Sequence, residues 1–174
     1  DGLAIRLTGD YFEQHNSRYA AQRPEFGVIP PAPFGPPFSG GDFDIASDQQ
    51  PDFQGRGGGA SLRIDYEFEK IALASISAYR ENSYEQVFDS DYTAYPGRIA
   101  DVRASDKQFS QEIQILSNDD GWLNWTVGGF YYWSLGKFDP IGTITFGPSG
   151  VPGLPGPATG RFAKVDLKTD SIAA

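Results

Sequence analysis

Trp122–Leu135, WLNWTVGGFYYWSL, is the stretch whose reading decides the fold. Every second residue from Leu123 is uncharged and mostly apolar: Leu123, Trp125, Val127, Gly129, Tyr131, Trp133, Leu135. The interleaved set of Asn124, Thr126, Gly128, Phe130, Tyr132 and Ser134 leans polar. Side chains of a strand alternate between two faces, so the stretch predicts a strand with one apolar and one mixed face. Its length of about 14 residues exceeds the roughly 5–6 usual for soluble strands. It is ample for a tilted strand crossing a bilayer, which needs about 9–11. Aromatic residues near both ends match the girdles of outer-membrane barrels.

Working back, Asn118–Gly121 has the Asx and glycine residues of a tight turn. Lys107–Ser117 before it predicts a strand with Phe109, Ile113 and Ile115 on one face and Gln108, Ser110, Glu112 and Gln114 on the other. Gln111 and Leu116 break that alternation. Ala60–Phe68 is cleaner: Ala60, Leu62, Ile64, Tyr66 and Phe68 oppose Ser61, Arg63, Asp65 and Glu67. A one-residue slip would exchange the two sets, so the register is strongly specified. After a short turn at Glu69–Lys70, Ile71–Arg80 predicts a further strand. Its serines Ser75 and Ser77 imply that Ala72, Ala74, Ile76 and Ala78 form the apolar face. Leu3–Phe12 and Phe162–Ala174 alternate as well, the latter with Val165 and Leu167 against Lys164, Asp166 and Lys168.

Long stretches separate these strands at 13–59, 81–106 and 136–160. The first holds Pro30, Pro31, Pro33, Pro36 and Pro37, which excludes a central strand because proline lacks the ladder donor. Connections thus alternate between long and short, the pattern of an up-and-down membrane barrel with long extracellular loops and short periplasmic turns. The expected fold is all-β: about six strands of a transmembrane antiparallel barrel, with residues 1–174 a partial barrel domain. The smallest such barrels have about eight strands. An edge left open in lipid strands unpaired N–H and C=O groups at several kcal/mol each. The chain is therefore expected to be part of a larger barrel.

Composition agrees with this class. The net charge is −9, cysteine is absent, glycine numbers 21 and proline 13, and aromatics make up 14%. The aromatic content argues against disorder. The acidic balance argues against a nucleic-acid partner. A mean hydropathy of −0.40 is compatible with a barrel, whose strands offer apolar groups only at alternate positions. No run of about 18 apolar residues marks a membrane helix.

The run Gln108-Phe-Ser-Gln-Glu-Ile-Gln-Ile, followed by Trp125-Thr-Val-Gly-Gly-Phe-Tyr-Tyr, resembles the central barrel of TonB-dependent outer-membrane receptors. In that family a Gln-Glu strand leads through a short turn into a Trp-x-x-Gly-Gly-x-Tyr-Tyr-like strand. Leu62-Arg-Ile-Asp-Tyr and Ser75-Ile-Ser-Ala-Tyr-Arg resemble the preceding hairpin, and Thr169-Asp-Ser-Ile-Ala-Ala the start of the following strand. The resemblance covers Ala60–Ala174 outside the loops and, weakly, Leu3–Phe12. It implies a barrel of about 22 strands closed by an N-terminal plug. It implies import of ferric siderophores, haem, cobalamin or glycans with energy passed from the inner-membrane TonB complex. The plug and the TonB-contacting box are not recognisable in these residues. Expected partners are outer-membrane lipid, the remaining strands and plug, TonB and a small-molecule substrate, at the bacterial outer membrane.

Import needs no covalent chemistry in the wall, and no catalytic residues, metal or cofactor are expected. His15 is the only histidine, which disfavours a multi-histidine metal site or a Ser-His-Asp triad; it is expected to be a solvated loop residue. Tyr84, Phe88, Asp89, Asp91, Tyr92 and Tyr95 form an acidic–aromatic stretch, the candidate for substrate contact. Its carboxylates are of the type that binds Ca²⁺, but the spacing is not that of an EF-hand. The expected lipid-facing wall is Leu62, Ile64, Tyr66, Leu123, Trp125, Val127 and Trp133; the expected lumen set is Arg63, Asp65, Glu67, Glu112, Asn124 and Thr126. Gly57-Gly-Gly is expected at a loop-to-strand transition, and Gly128-Gly at close packing within the wall. The rival readings are a passive porin, a soluble or surface β-sandwich that binds sugar through Tyr and Trp, and a lipid-altering enzyme on a barrel, which would need a nucleophile–base pair.

Overall fold

The computed structural model describes residues 2–17, 47, 49–90, 97–118, 122–148 and 155–174. The chain is all-β. It runs β1 (Gly2–Asn16), β2 (Asp52–Glu67), β3 (Ile71–Asp89), β4 (Arg98–Ser117), β5 (Thr126–Pro148) and β6 (Pro155–Ala173). These form one six-stranded sheet in chain order, each strand antiparallel to the next. Among the described residues β1 and β6 do not meet, so the up-and-down sheet is open at both edges.

The strands are far longer than alternation of apolar residues predicts, from 15 residues in β1 to 23 in β5. Much of the stretches 13–59, 81–106 and 136–160, expected as loops, is ladder: β1 runs on to Asn16, β2 begins at Asp52, and β3 and β4 pair as far as Asp89↔Ile99. Over Arg80–Glu85 of β3 the physical reason is that polar residues occupy both faces, so no hydrophobic period announces the strand there. Charge complementarity joins it to β4 instead, as where Lys107 Nζ lies 3.0 Å from Glu81 Oε1. The prolines at positions 30–37 lie outside the described residues. Trp122–Trp125 precede β5 rather than opening it; Trp125 is tied to Ser117 by Ser117 N donating to Trp125 O and Trp125 N donating to Ser117 Oγ, both at 2.9 Å. The Glu69–Lys70 turn is closed by Phe68 N donating to Ile71 O at 2.8 Å.

Register assigns the faces, because directly opposed residues of an antiparallel pair point the same way. One face carries Leu3, Tyr66, Leu73, Ile115 and Val127 in one row across the sheet. The next row up is Ile5, Ile64, Ser75, Ile113 and Gly129. The opposite face carries Arg6, Arg63, Ile76, Glu112 and Phe130. The expected apolar face of β3 is thereby corrected. Ala72, Ala74, Ile76 and Ala78 share the face of Arg63, and it is Ile71, Leu73, Ser75, Ser77 and Tyr79 that share the face of Leu62. The serines misled because they read as polar-facing. On the apolar side they are satisfied by Gln111, which donates to Ser75 Oγ at 3.1 Å and accepts from the Ser77 hydroxyl.

The glycine triplet is likewise not a transition: Gly57, Gly58 and Gly59 sit within β2, paired to both neighbours. A Cβ at Gly58 would lie 2.7 Å from the Asp10 carbonyl oxygen, and one at Gly59 2.8 Å from that of Tyr79. Only glycine lets the backbones and crossing side chains approach so closely. Higher up, Asp139 and Pro140 together oppose a single residue on each neighbouring strand, Arg103 of β4 and Lys164 of β6, which is a β-bulge. A bulge also accommodates a proline that cannot donate to the ladder.

Among the described residues no second layer covers the sheet. Ala74 and Ala100 are the only buried hydrophobic residues among those described, while Leu7 is 76% and Val127 62% exposed. Ordinary domains bury apolar faces between two packed layers. A lone sheet leaves each of these side chains without the roughly 1.5–3 kcal/mol that full burial supplies.

Candidate functional site

The distinctive site is the Leu62 face as a surface. Its rows, followed upward along β5, run through Val127, Gly129, Tyr131 and Trp133. Across these four rows the only charged residue is Asp170, on β6 beside Trp133. The Tyr131 hydroxyl lies 3.3 Å from that carboxylate and donates to it. The next row, through Leu135, brings Glu81, Lys107 and Lys168; the one above it brings Glu13, Arg56, Lys137 and Asp166. The change from uncharged to charged falls at one level across neighbouring strands, although they run in opposite directions.

Aromatic residues mark both borders of the uncharged band. Tyr66 and Phe68 pack at 4.5 Å between ring centroids at the lower border, near the level of Trp125. Tyr79, Phe109 and Trp133 form the row at the upper border, with Phe109 also 6.4 Å from Tyr131. From Trp125 to Trp133 the distance along a strand is about 27 Å at 3.3–3.4 Å per residue. With the tilt of about 40° usual in barrels, the band stands roughly 20 Å tall, close to the apolar belt of about 25 Å in transmembrane barrels.

The opposite face is mixed: Ala72, Ala74, Ile76, Ala78 and Phe130 share it with charged and polar residues that bond to one another. Arg63 makes a forked contact with Asp65, Nε to Oδ2 at 2.7 Å and an Nη to Oδ1 at 2.8 Å. Gln114 donates to Glu112, and the Tyr132 hydroxyl is 3.1 Å from Gln108 Oε1. Arg80 reaches across β2 to pair with Asp10, passing over Gly59, whose missing side chain leaves the gap. Phe12 and Asn82 close over Gly57 in the same way. The Arg80–Asp10 bridge was not legible from the sequence, and the glycine triplet was its only signal.

Of the expected lipid-facing residues, Leu62, Ile64, Tyr66, Val127 and Trp133 share the uncharged face by register. Trp125, 40% exposed, continues that set by its pairing with Ser117, while Leu123 lies outside the ladder and is exposed. Arg63, Asp65, Glu67, Glu112 and Thr126 share the other face, with Asn124 just before the ladder.

The acidic–aromatic stretch does not assemble into one cluster within the described residues. Tyr84 lies in β3 on the Arg63 face, stacked on Phe53 with centroids 6.3 Å apart. Phe88 opposes Ala100 four residues further on, and Asp89 is fully buried opposite Ile99. Asp91, Tyr92 and Tyr95 lie outside the described residues. His15 belongs to β1, not to a loop, and its Nε2 is 2.7 Å from Asp52 Oδ1.

Comparison with known proteins finds no family, no curated protein and no solved structure that matches the chain.

Proposed function

We propose that this chain is part of the wall of a TonB-dependent outer-membrane receptor, serving TonB-energised uptake of a scarce nutrient such as a ferric siderophore, haem, cobalamin or glycan. The observation that carries the membrane half of this reading is the almost uncharged, aromatic-bordered band on a sheet face that no described residue covers. Lipid is the cover that suits it: acyl chains against Leu62, Ile64 and Val127, interface against the aromatic rows, water and headgroups against the charged rows above. The opposite face with its paired charges then lines the lumen. Both sheet edges need partners in a bilayer, where unpaired backbone groups are costly, so further strands of the same barrel flank β1 and β6.

The receptor half of the reading rests on the resemblance of the β4–β5 hairpin and of the β2–β3 pair to that family. The plug, the remaining strands, TonB and the small-molecule substrate are the partners, the Gram-negative outer membrane is the location, and the wall carries no catalytic role. A passive porin shares the wall but not the energy requirement. The test is nutrient uptake by cells carrying the intact protein, with and without a functional inner-membrane energy-coupling complex. Uptake that stops without the complex supports the receptor; uptake that continues unchanged identifies a passive channel; recovery of the protein in the soluble fraction rejects both.

A further inference from the structure

Above the band, the row through Lys137 has a distinctive centre: Arg56 on β2, Ser83 on β3, Ser105 on β4 and Lys137 on β5 stand side by side on the outer face. They line one open groove of about 630 Å³, together with Glu13, Glu85, Arg103 and Asp139. The other cations of these upper rows are paired: Lys107 with Glu81, Lys164 with Asp139, Arg103 with Asp101, and Lys168 with Asp170. Arg56 and Lys137 make no ion pair among the described residues, and Arg56 Nε donates to Ser83 Oγ at 3.3 Å.

We infer that this row binds the phosphate of a lipid headgroup in the outer leaflet. The inference rests on the wall reading above. Adjacent strands are about 4.8 Å apart, so Arg56 and Lys137 are separated by about 14 Å across three strand steps. Each long side chain spans about half that distance, so both heads can reach the space over the two serines. A phosphate there receives two cationic donors and two hydroxyl donors, the set that recognises a tetrahedral oxyanion. Glu13 is directly beside Arg56 and Asp166 directly beside Lys137, each on the side away from the serines; Glu85 lies one row above, opposite Arg103, and Asp139 is engaged by Lys164. Position selects a lipid over a soluble phosphate. The row lies two ladder steps, roughly 13 Å along the strand, above the Trp133 border, on the face assigned to lipid. That is where headgroups end and where a cation gains most from an anionic membrane surface.

The test uses the intact protein and its R56Q/K137Q variant, reconstituted in zwitterionic vesicles doped with a phosphate-monoester lipid, with bound lipid counted after purification in detergent. K70Q, which removes a charge at the opposite end of the sheet, is the control. The expected result is a loss of about 5-fold per cation, or roughly 25-fold in the double variant, with less than 2-fold for K70Q. Equal retention by wild type and R56Q/K137Q overturns the site while leaving the wall reading intact. Displacement of the lipid by millimolar inorganic phosphate overturns the lipid as ligand. Failure of the wild-type protein to float with the vesicles overturns the wall reading itself, and the site with it.

Discussion

Replacing Ile113 by arginine sets the charge cost of the uncharged face at its most sensitive point. Ile113 stands opposite Gly129. Gly129 is four residues from Trp125 and four from Trp133, so it lies about 13 Å along the strand from either aromatic level, midway between them. If the face lies in lipid, an arginine there sits near the midplane and costs about 2–4 kcal/mol. The same substitution at Leu135, in the first charged row beside Lys107 and Lys168, costs about 0–1 kcal/mol. The assay is reversible denaturant-driven folding of the intact protein into phospholipid vesicles, with free energies from linear extrapolation. I113W separates lipid from a packed protein layer: fluid chains accommodate the larger ring at no measurable cost, whereas overpacking a core costs about 1–3 kcal/mol. Equal costs for I113R and L135R, or a core-like cost for I113W, would refute the assignment of this face to lipid.

The glycine slot predicts that G59A destabilises the sheet by about 1–3 kcal/mol, because the new Cβ would lie 2.8 Å from the Tyr79 carbonyl oxygen, a backbone atom that cannot turn aside. G9A, whose Cβ would meet Gly59 O at 3.6 Å, should be neutral or mildly stabilising in the same denaturation assay. A double-mutant cycle on Arg80 and Asp10, side chains 36% and 53% exposed, should give a coupling below about 1 kcal/mol. A coupling well above that would mean the bridge is shielded from water in the assembled protein. Retention of phosphorylated lipid should fall in R56Q/K137Q and not in K70Q.

The β2 alternation from Ala60 to Glu67 was legible because apolar and polar residues strictly interchange, and register puts the two sets on opposite faces. β3 was not legible from its own residues. Ser75 and Ser77 look solvent-facing until Gln111 of the neighbouring strand is set opposite them and satisfies their hydroxyls. The upper half of β3 was hidden for a related reason. Glu81, Ser83 and Glu85 alternate with Arg80, Asn82 and Tyr84, and a two-residue period of polar residues leaves no hydropathy signal. Glu81 facing Lys107 was the available clue, but it appears only once the register is known. The acidic–aromatic stretch was grouped by nearness in sequence, and strand geometry separates it: Tyr84 and Phe88 share a face four residues apart while Asp89 points away.

In the proposed wall the Leu62 face meets lipid and the Arg63 face does not. The chain has no cysteine, so single cysteines at 60–67 can each carry a nitroxide spin label without background reaction. Accessibility to oxygen, which partitions into lipid, and to a water-soluble nickel chelate is then read at each position of the intact protein in bilayers. The account predicts a period of two: oxygen access at 60, 62, 64 and 66, and no lipid-like exposure at 61, 63, 65 and 67. Uniform nickel access along the strand, or low access to both reagents at 62, 64 and 66, would contradict it.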